Sequence, residues 1–423
     1  MFTFVFLFAL AVSLCVKIWL AQRQIRHVVR HREAVPARFH DVMPLTAHQK
    51  AADYTIARTQ LGMTHTLVEA ALLIALTLAG GIQWLDDTIG HFATLGQWPA
   101  FVQQLTLFVA VLVIAGLVDL PFSLYRQFGL EARFGFNKMT WKLFVADLFK
   151  MVAISALFGV PLLAVVLTLM RVSGALWWFY AWLVWSGFNL LIHLLYPTLI
   201  APIFNRFAPL EDAPLRERIE ALLARCGFAA KGVFVMDGSR RSTHGNAYFT
   251  GFGASKRIVF FDTLLARLSP REIEAVLAHE LGHFKRHHVI KRIGVSFALS
   301  FAGLALLGWL VEQPWFFAQL GVDPTLASKD AVALLLFFFV MPVFTFLIGP
   351  LFSLASRRHE FEADAFAAQH TAASELVHAL VKLYEDNAST LTPDPLHSAF
   401  YDSHPPAALR IERLDAQLSA RSA

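Results

Sequence analysis

Cysteine and charge are both scarce in this chain. Of 423 residues two are cysteine, Cys15 in an apolar run and Cys226 in a polar segment. At most one bridge can form, and neither a disulfide framework nor a cysteine zinc site is available. Charged residues make up 16% of the chain and hydrophobic residues 57%, against roughly 45–50% apolar in a soluble domain. With a mean hydropathy of +0.54, this composition excludes a soluble globule and places the protein in a lipid bilayer. Basic residues are missing locally too, because 86–101 holds no Lys or Arg. The net charge of +5 sits in blocks between apolar runs. Membrane topology accounts for that pattern without nucleic acid, so no nucleic-acid partner is expected. No internal repeat is visible.

Seven runs approach the roughly 20 apolar residues that cross a bilayer. They lie at about 2–20, 66–85, 102–125, 148–170, 176–200, 291–312 and 332–356. The first lacks a basic start and is too long for a signal peptide, so it reads as a retained anchor. Loop 21–65 carries Arg23, Arg26, Arg30, Arg32, Arg38, Lys50 and Arg58. Loop 126–147 and segment 201–290 are also basic, whereas 86–101 and 313–331 are nearly free of Lys and Arg. The alternation puts the N-terminus outside and both 201–290 and the C-terminal tail in the cytoplasm. Four parts follow: a five-span membrane region 1–200, a cytoplasmic segment 201–290, a two-span hairpin 291–356 and a C-terminal segment 357–423. Lys17 and Glu69 near helix ends can reach the interface. Asp119 and His193 lie deeper, where the default is a polar cavity, a proton path or a hydrogen bond to a neighbouring helix.

The stretch "LSPREIEAVLAHELGHFKRHH" opens with Ser269, Pro270 and Glu272, a capping box with proline at the first helical position. Ile273, Val276, Leu277 and Leu281 then form one apolar stripe at helical spacing. His279 and His283, at i and i+4, project from one face about a turn apart and can share one divalent ion. Glu280 points about 100° around the helix, beside the ion and not onto it. There it can take a proton from water, which is the H-E-x-x-H arrangement of zinc peptidases. A chance match arises in about a few of every hundred chains of this composition, and two histidines leave the ligand shell incomplete. "SRRHEFEADAFAAQH" offers completion. Glu360 and Asp364 share a helical face there, so one can ligate while the other orients a ligand histidine. Glu362 falls on the opposite side and is expected to be solvated.

With "HELGH", "SRRHEFEADAFA" and "SHPP" in this order, the chain resembles the M48 peptidases, and within them the Ste24-type CAAX prenyl protease 1 group. "RFGFNKMT" at 133–140, "APIFNRFAPLED" at 201–212, "HGNAYFTGFGASKRIVFFDTLL" at 244–265 and "SHPPAALRIERL" at 403–414 resemble family segments in the family's order. The resemblance implies an all-α polytopic membrane protein of about seven helices around a water-filled chamber. It also implies a zincin-type cytoplasmic metallopeptidase domain with a small β element. By the same resemblance His279, His283 and Glu360 bind Zn2+, Glu280 is the general base, and Asp364 and Arg410 support the site. His404 stabilises the oxyanion, and Asn246, Ala247 and Tyr248 form an edge strand that pairs with the substrate backbone.

The expected substrates are prenylated CAAX-type proteins or membrane and misfolded proteins, cleaved by a monomer. "LSARSA" lacks a basic endoplasmic-reticulum retrieval signal, and the Ala/Arg-rich usage fits a bacterial inner membrane; a eukaryotic source would place the protein in the endoplasmic reticulum. His359 replaces an aromatic residue usual in eukaryotic members. The alternatives are an inactive M48-like scaffold, which has no need of Glu280, and a zinc transporter, whose ligands would line a transmembrane path.

Overall fold

A computed structural model describes residues 1–228, 232–250 and 257–422. Part of the segment 244–265, including the glycines that follow the candidate edge strand, lies outside the described residues. The helices α1 (Phe2–Arg30), α2 (Leu45–Leu76), α3 (Gly81–Leu95), α4 (Ala100–Leu124), α5 (Trp141–Val172) and α6 (Trp177–Leu195) come first. The short α7 (Ala201–Phe204), β1 (Phe207–Pro209), α8 (Ala213–Cys226), β2 (Val233–Met236), β3 (Ala247–Thr250), β4 (Arg257–Phe261), α9 (Asp262–Arg267) and α10 (Pro270–Lys285) follow. The rest is helical: α11 (His288–Leu310), α12 (Pro314–Ala318), α13 (Lys329–Thr345), α14 (Gly349–His370), α15 (Ala373–Asp386), α16 (Pro395–Tyr401) and α17 (Ala407–Ser422).

Seven helical segments are long and apolar enough to cross a membrane, and each overlaps one predicted span. Their ends differ. The run predicted at 66–85 straddles a break, because Gly80 takes φ +79°, a left-handed backbone open to glycine, and α2 has already stopped at Leu76. The span is therefore Leu45–Leu76. Its polar first half, read as loop, is helix. The last span does not end at 356 either, since Lys329–His370 forms one rod of 42 residues. At about 1.5 Å per residue that rod is roughly 63 Å long, twice a bilayer core of about 30 Å, and its far end carries Glu360 and Asp364 out of the apolar layer.

The spans are thinly packed. Half of the apolar window in the last rod is buried in protein, against 6% in Trp141–Val172. Helices so lightly covered in protein leave most of their apolar surface to lipid or to internal space. One apolar space of about 1280 Å³ lies among α4, α5, α6, α11 and α13, bordered by Leu112, Val152, Leu299 and Phe338. On α2 and α4, His65 Nε2 meets Asp119 Oδ1 at 2.9 Å and Ser123 donates to Asp119 at 3.0 Å, so Asp119 makes an interhelical contact, one of the alternatives its depth left open.

The β element is a four-stranded sheet in the order β1-β2-β4-β3. The β2–β4 pair is parallel and the others antiparallel. It packs with α8, α10, α14 and α15 around a second core that includes Ile219, Leu222, Ile258, Phe260, Leu277, Leu281, Phe366 and Leu376. The predicted stripe Ile273, Val276, Leu277 and Leu281 is buried, but so are Glu272, Glu274, Ala275, Ala278 and His279. From 272 to 282 α10 is sunk almost all round, between the sheet with α8 on one side and α14 with α15 on the other. Its buried charges are paired. Glu274 accepts from Arg218 at 2.7 Å and Arg225 at 2.6 Å, and Glu272 from Lys382 at 2.7 Å.

Candidate active site

The C-terminal half of α10 and the middle of α14 meet at the site. α10 begins as its sequence predicts: Ser269 N donates to Glu272 Oε2 at 2.7 Å and Glu272 N to Ser269 Oγ at 3.4 Å, with Pro270 at the first helical position. That closed start fixes the phase of the helix, and so the direction of His279 and His283. Gly282 sets the distance to α14. A Cβ there would lie 2.9 Å from Ala363 Cα and 3.1 Å from Ala363 O, so the two backbones touch because Gly282 has no side chain. One residue beyond Gly282 stands His283, and one turn before Ala363 stands Glu360.

The contact brings three groups together. His279 Nε2 and His283 Nε2 are 3.2 Å apart, and they lie 3.4 Å and 3.3 Å from the Glu360 carboxylate oxygens. Glu360 Oε2 is buried and makes no hydrogen bond, with the Arg410 guanidinium 3.8 Å away, so a closer cation would satisfy it. The separations match a metal. Four ligands at about 2.0 Å in a tetrahedron are about 3.3 Å from one another. The trio thus fits a divalent ion, with the fourth position left for water or substrate. Burial opposes charge on His279, but Asp364 and Glu360 outweigh it and raise its pKa to about 9, so the pocket favours positive charge.

Each histidine is also held from behind. His279 Nδ1 lies 2.9 Å from Asp364 Oδ1, and Arg410, buried on α17, clamps Asp364 through Nε at 2.8 Å and Nη2 at 2.6 Å. The family resemblance implied both residues as supports of the site. It missed the second support. His283 Nδ1 is 3.0 Å from His288 Nδ1, and His288 Nε2 is 3.1 Å from Glu362 Oε2. Glu362 is therefore not a solvated bystander. His287 takes φ +56°, turning the chain so that the first turn of α11 returns His288 beside His283 and within reach of α14. His359 stacks on His288 at 4.0 Å, filling the place of the aromatic residue expected there. The signal was the histidine pair in "FKRHH", but the contact depends on a turn that helical spacing alone cannot supply.

Glu280 is half-buried and has no hydrogen-bond or ion-pair partner among the described residues. His404 follows α16, its Nε2 3.5 Å from Glu360 Oε1 and its side chain 63% exposed, so it faces the open side of the trio. Its loop is tied down by Arg357, which donates to Ser398 O, to Ser398 Oγ at 2.9 Å and to Asp402 O at 3.2 Å. Asp394, which caps α16, pairs with Arg23 of α1 at 2.9 Å. β3, with Ala247 and Tyr248, ends the sheet and pairs only with β4 among the described residues. Asn246 precedes it, and its carbonyl accepts from Phe261 N at 3.0 Å. Phe249 packs on Phe284 of α10 with ring centroids 4.4 Å apart, holding this edge alongside the helix of the two histidines. All ten predicted site residues thus lie on four neighbouring elements: α10, α14, the His404 loop with α17, and the β3 edge.

Comparison with known proteins gives a consistent picture. Residues 24–206 match the family described as CAAX prenyl protease N-terminal, five membrane helices, and residues 209–418 match peptidase family M48. The chain is 35% identical over 376 residues to a CAAX prenyl protease 1 homolog of Arabidopsis thaliana, covering 87% of each. It is 32% identical to the Homo sapiens homolog over 94% of this chain and 91% of that one. The CAAX prenyl protease 1 of Saccharomyces cerevisiae is 37% identical over 71% of this chain and 70% of its own. The crystal structure of S. mikatae Ste24p superposes with a TM-score of 0.91 at 30% identity, over 98% of this chain and 99% of that chain.

Proposed function

The chain belongs to peptidase family M48 with the membrane portion of the CAAX prenyl proteases, and from that membership we propose an integral-membrane zinc metalloendopeptidase that cleaves prenylated CAAX-type, membrane or misfolded proteins. The observation that carries this reading is the trio of His279, His283 and Glu360 around an unsatisfied buried carboxylate oxygen. Zinc, when bound there, supplies Lewis acidity toward the scissile carbonyl and makes water a better nucleophile at neutral pH.

The chain's own residues do the rest. Glu280, uncommitted to any partner among the described residues, accepts the proton of the attacking water and passes it to the leaving amine. His404 donates from its open imidazole to the developing oxyanion. Asp364 with Arg410, and His288 with Glu362, hold the two imidazoles in the orientation that ligation requires. The free edge of β3, beginning at Asn246, Ala247 and Tyr248, takes the substrate backbone as an added strand. The apolar space among the spans favours substrates that carry a lipid or an apolar segment. Residues 1–200 and 291–356 then serve as the membrane wall, and 201–290 and 357–423 as the catalytic halves. The basic loops that flank the site's segments support a cytoplasmic site in a bacterial inner membrane, or in the endoplasmic reticulum of a eukaryotic source, with a monomer as the working unit.

Detergent-purified protein tests the substrate class and the metal together. A farnesylated CAAX peptide and an unstructured casein-like protein are assayed before and after chelation, then with zinc restored. Cleavage that disappears and returns with zinc is the expected result. Cleavage that persists in chelator, or no cleavage of either substrate by zinc-loaded protein, contradicts the proposal.

A further inference from the structure

The two sides of α1 meet different surroundings. Lys17, Ala21 and Gln24 border a cavity of about 620 Å³ that α1 shares with α2, whose Arg58 also lines it. Trp19 lies two residues from Lys17, about 200° around the helix, and so points away from that interior. The outward face carries Phe4, Phe8, Cys15 and Trp19, all exposed and spaced by four or seven residues. The same spacing continues to Arg26 and Arg30, which are exposed as well. An apolar stripe thus ends in an aromatic ring and then in arginines. The run 2–20, at about 1.5 Å per residue, measures roughly 28 Å, close to a hydrocarbon core of about 30 Å. The arginines therefore stand where lipid headgroups lie.

These cations do not form a flat patch. Trp19, Arg23, Arg26, His27, Arg30 and Asp394 border a hollow of about 240 Å³. Its one carboxylate among the described lining residues is committed: Asp394 accepts from Arg23 at 2.9 Å and from the backbone N–H groups of Leu396 and His397, with His27 Nδ1 4.0 Å away. Arg23 in turn lies 5.3 Å over the Trp19 ring. Arg26 donates to Gln22 O at 3.3 Å, and neither Arg26 nor Arg30 has an ion-pair partner among the described residues.

We propose that this hollow binds the phosphate of one anionic phospholipid, with Arg26 and Arg30 on the phosphate oxygens, Trp19 at the level of the glycerol backbone, and the acyl chains along the stripe of Cys15, Phe8 and Phe4. Side chains on a helix lean toward its N-terminus, which for both arginines is the membrane side, so their guanidinium groups reach back to the headgroup. Guanidinium forks suit phosphate oxygens, whereas a zwitterionic lipid brings its own ammonium against them. Loop charge alone is enough to orient a span; the hollow, in line with the apolar stripe, adds a place for a single lipid. The site adjoins the tie between α1 and α16, where Gln24 Oε1 also accepts from Asp394 N at 2.7 Å, so a bound lipid braces the helix that leads to the His404 loop.

Lipid binding is read without turnover, so its outcome is separate from that of the peptidase reading. Full-length protein, stripped of lipid in detergent, is titrated with phosphatidylglycerol or with phosphatidylcholine of the same acyl chains, and bound lipid is counted by native mass spectrometry. Wild type should hold one phosphatidylglycerol about tenfold or more tighter than phosphatidylcholine, since each basic group at a membrane surface is worth about fivefold in affinity. Arg26→Gln with Arg30→Gln should bring that ratio near one, and Arg26→Lys with Arg30→Lys should keep part of it. Lys17→Gln with Arg58→Gln, which removes as much charge from the inner side, should leave it unchanged. Equal binding of the two lipids by wild type overturns the proposal, and so does a ratio that survives Arg26→Gln with Arg30→Gln or falls as far in the inner pair. Glycerol 3-phosphate, the soluble form of the same group, is the last arm. Failure to displace the lipid at equal concentration is the expected result, and displacement would assign the hollow to a soluble phosphate and overturn the lipid.

Discussion

Replacing Gly282 with alanine should separate metal binding from folding. The added Cβ would lie 2.9 Å from Ala363 Cα and 3.1 Å from Phe366 Cβ, about 0.5 Å short of ordinary contact at 3.4 Å. The obstacle is backbone and cannot swing away, so α14 must retreat by that amount. Overpacking of this kind costs about 1–3 kcal/mol, and alanine returns about 1 kcal/mol through its better helix propensity. Stability should therefore fall by only about 0–2 kcal/mol. The ligands fare worse, because His283 and Glu360 flank the contact and metal–ligand distances tolerate only about ±0.2 Å. We expect zinc affinity to drop at least tenfold, the range seen for disturbed supports of ligand histidines, while the metal-free protein unfolds within a few degrees of wild type. Chelator competition gives the affinity and thermal unfolding in detergent gives the stability. A Gly282→Ala protein that binds zinc as tightly as wild type and cleaves as fast would refute the reasoning that this backbone contact sets the ligand geometry.

The other expectations concern supports at increasing distance from the metal. His288→Ala should weaken zinc binding about tenfold by freeing His283 Nδ1, and His288→Asn, which keeps a polar atom near that position, should recover part of it; unchanged affinity in both would show that the His288–Glu362 pair does not orient the ligand. Arg357→Ala should lower kcat by about tenfold or more with bound zinc unchanged, since it releases the loop of His404 and not a ligand; loss of zinc in step with activity would contradict this. For Glu272, burial disfavours the carboxylate but Lys382 and the Ser269 cap outweigh it and hold its pKa below the ordinary value. Its stabilisation is therefore full above about pH 4.5 and fades as the pH falls through the lowered folded value. Glu272→Gln should cost about 1 kcal/mol at pH 7 and progressively less in acid, a trend that acid titration of unfolding would expose by convergence of the two curves.

Much of this architecture was legible because membranes impose strong patterns. Seven apolar runs gave the spans, and the capping box with i, i+4 histidines gave the start and face of α10. What stayed hidden depended on breaks and contacts. The second span was shifted because the Leu- and Ala-rich run crosses Gly80, while the true first half of α2 is polar, with Arg58 facing a cavity instead of lipid. Hydropathy cannot tell such a half-helix from a loop. The site carboxylates Glu360 and Asp364 were placed on a helix of their own, yet they ride on an extension of the last span, since nothing in their charge marks where lipid ends and helix continues. Glu362 was assigned to solvent from helical phase alone. The turn at His287 brings a neighbour to it, and such tertiary returns leave no periodic trace.

The central claim is that Glu280 works as a base beside a metal held by other residues. The direct measurement compares wild type and Glu280→Gln, each brought to equal bound zinc, on the same unstructured protein and farnesylated peptide. Cleavage lost by about a hundredfold or more, within the usual range for a general base, with zinc content and thermal unfolding unchanged, is the predicted result. Glu280→Gln that cleaves at the wild-type rate with the same zinc would contradict the account.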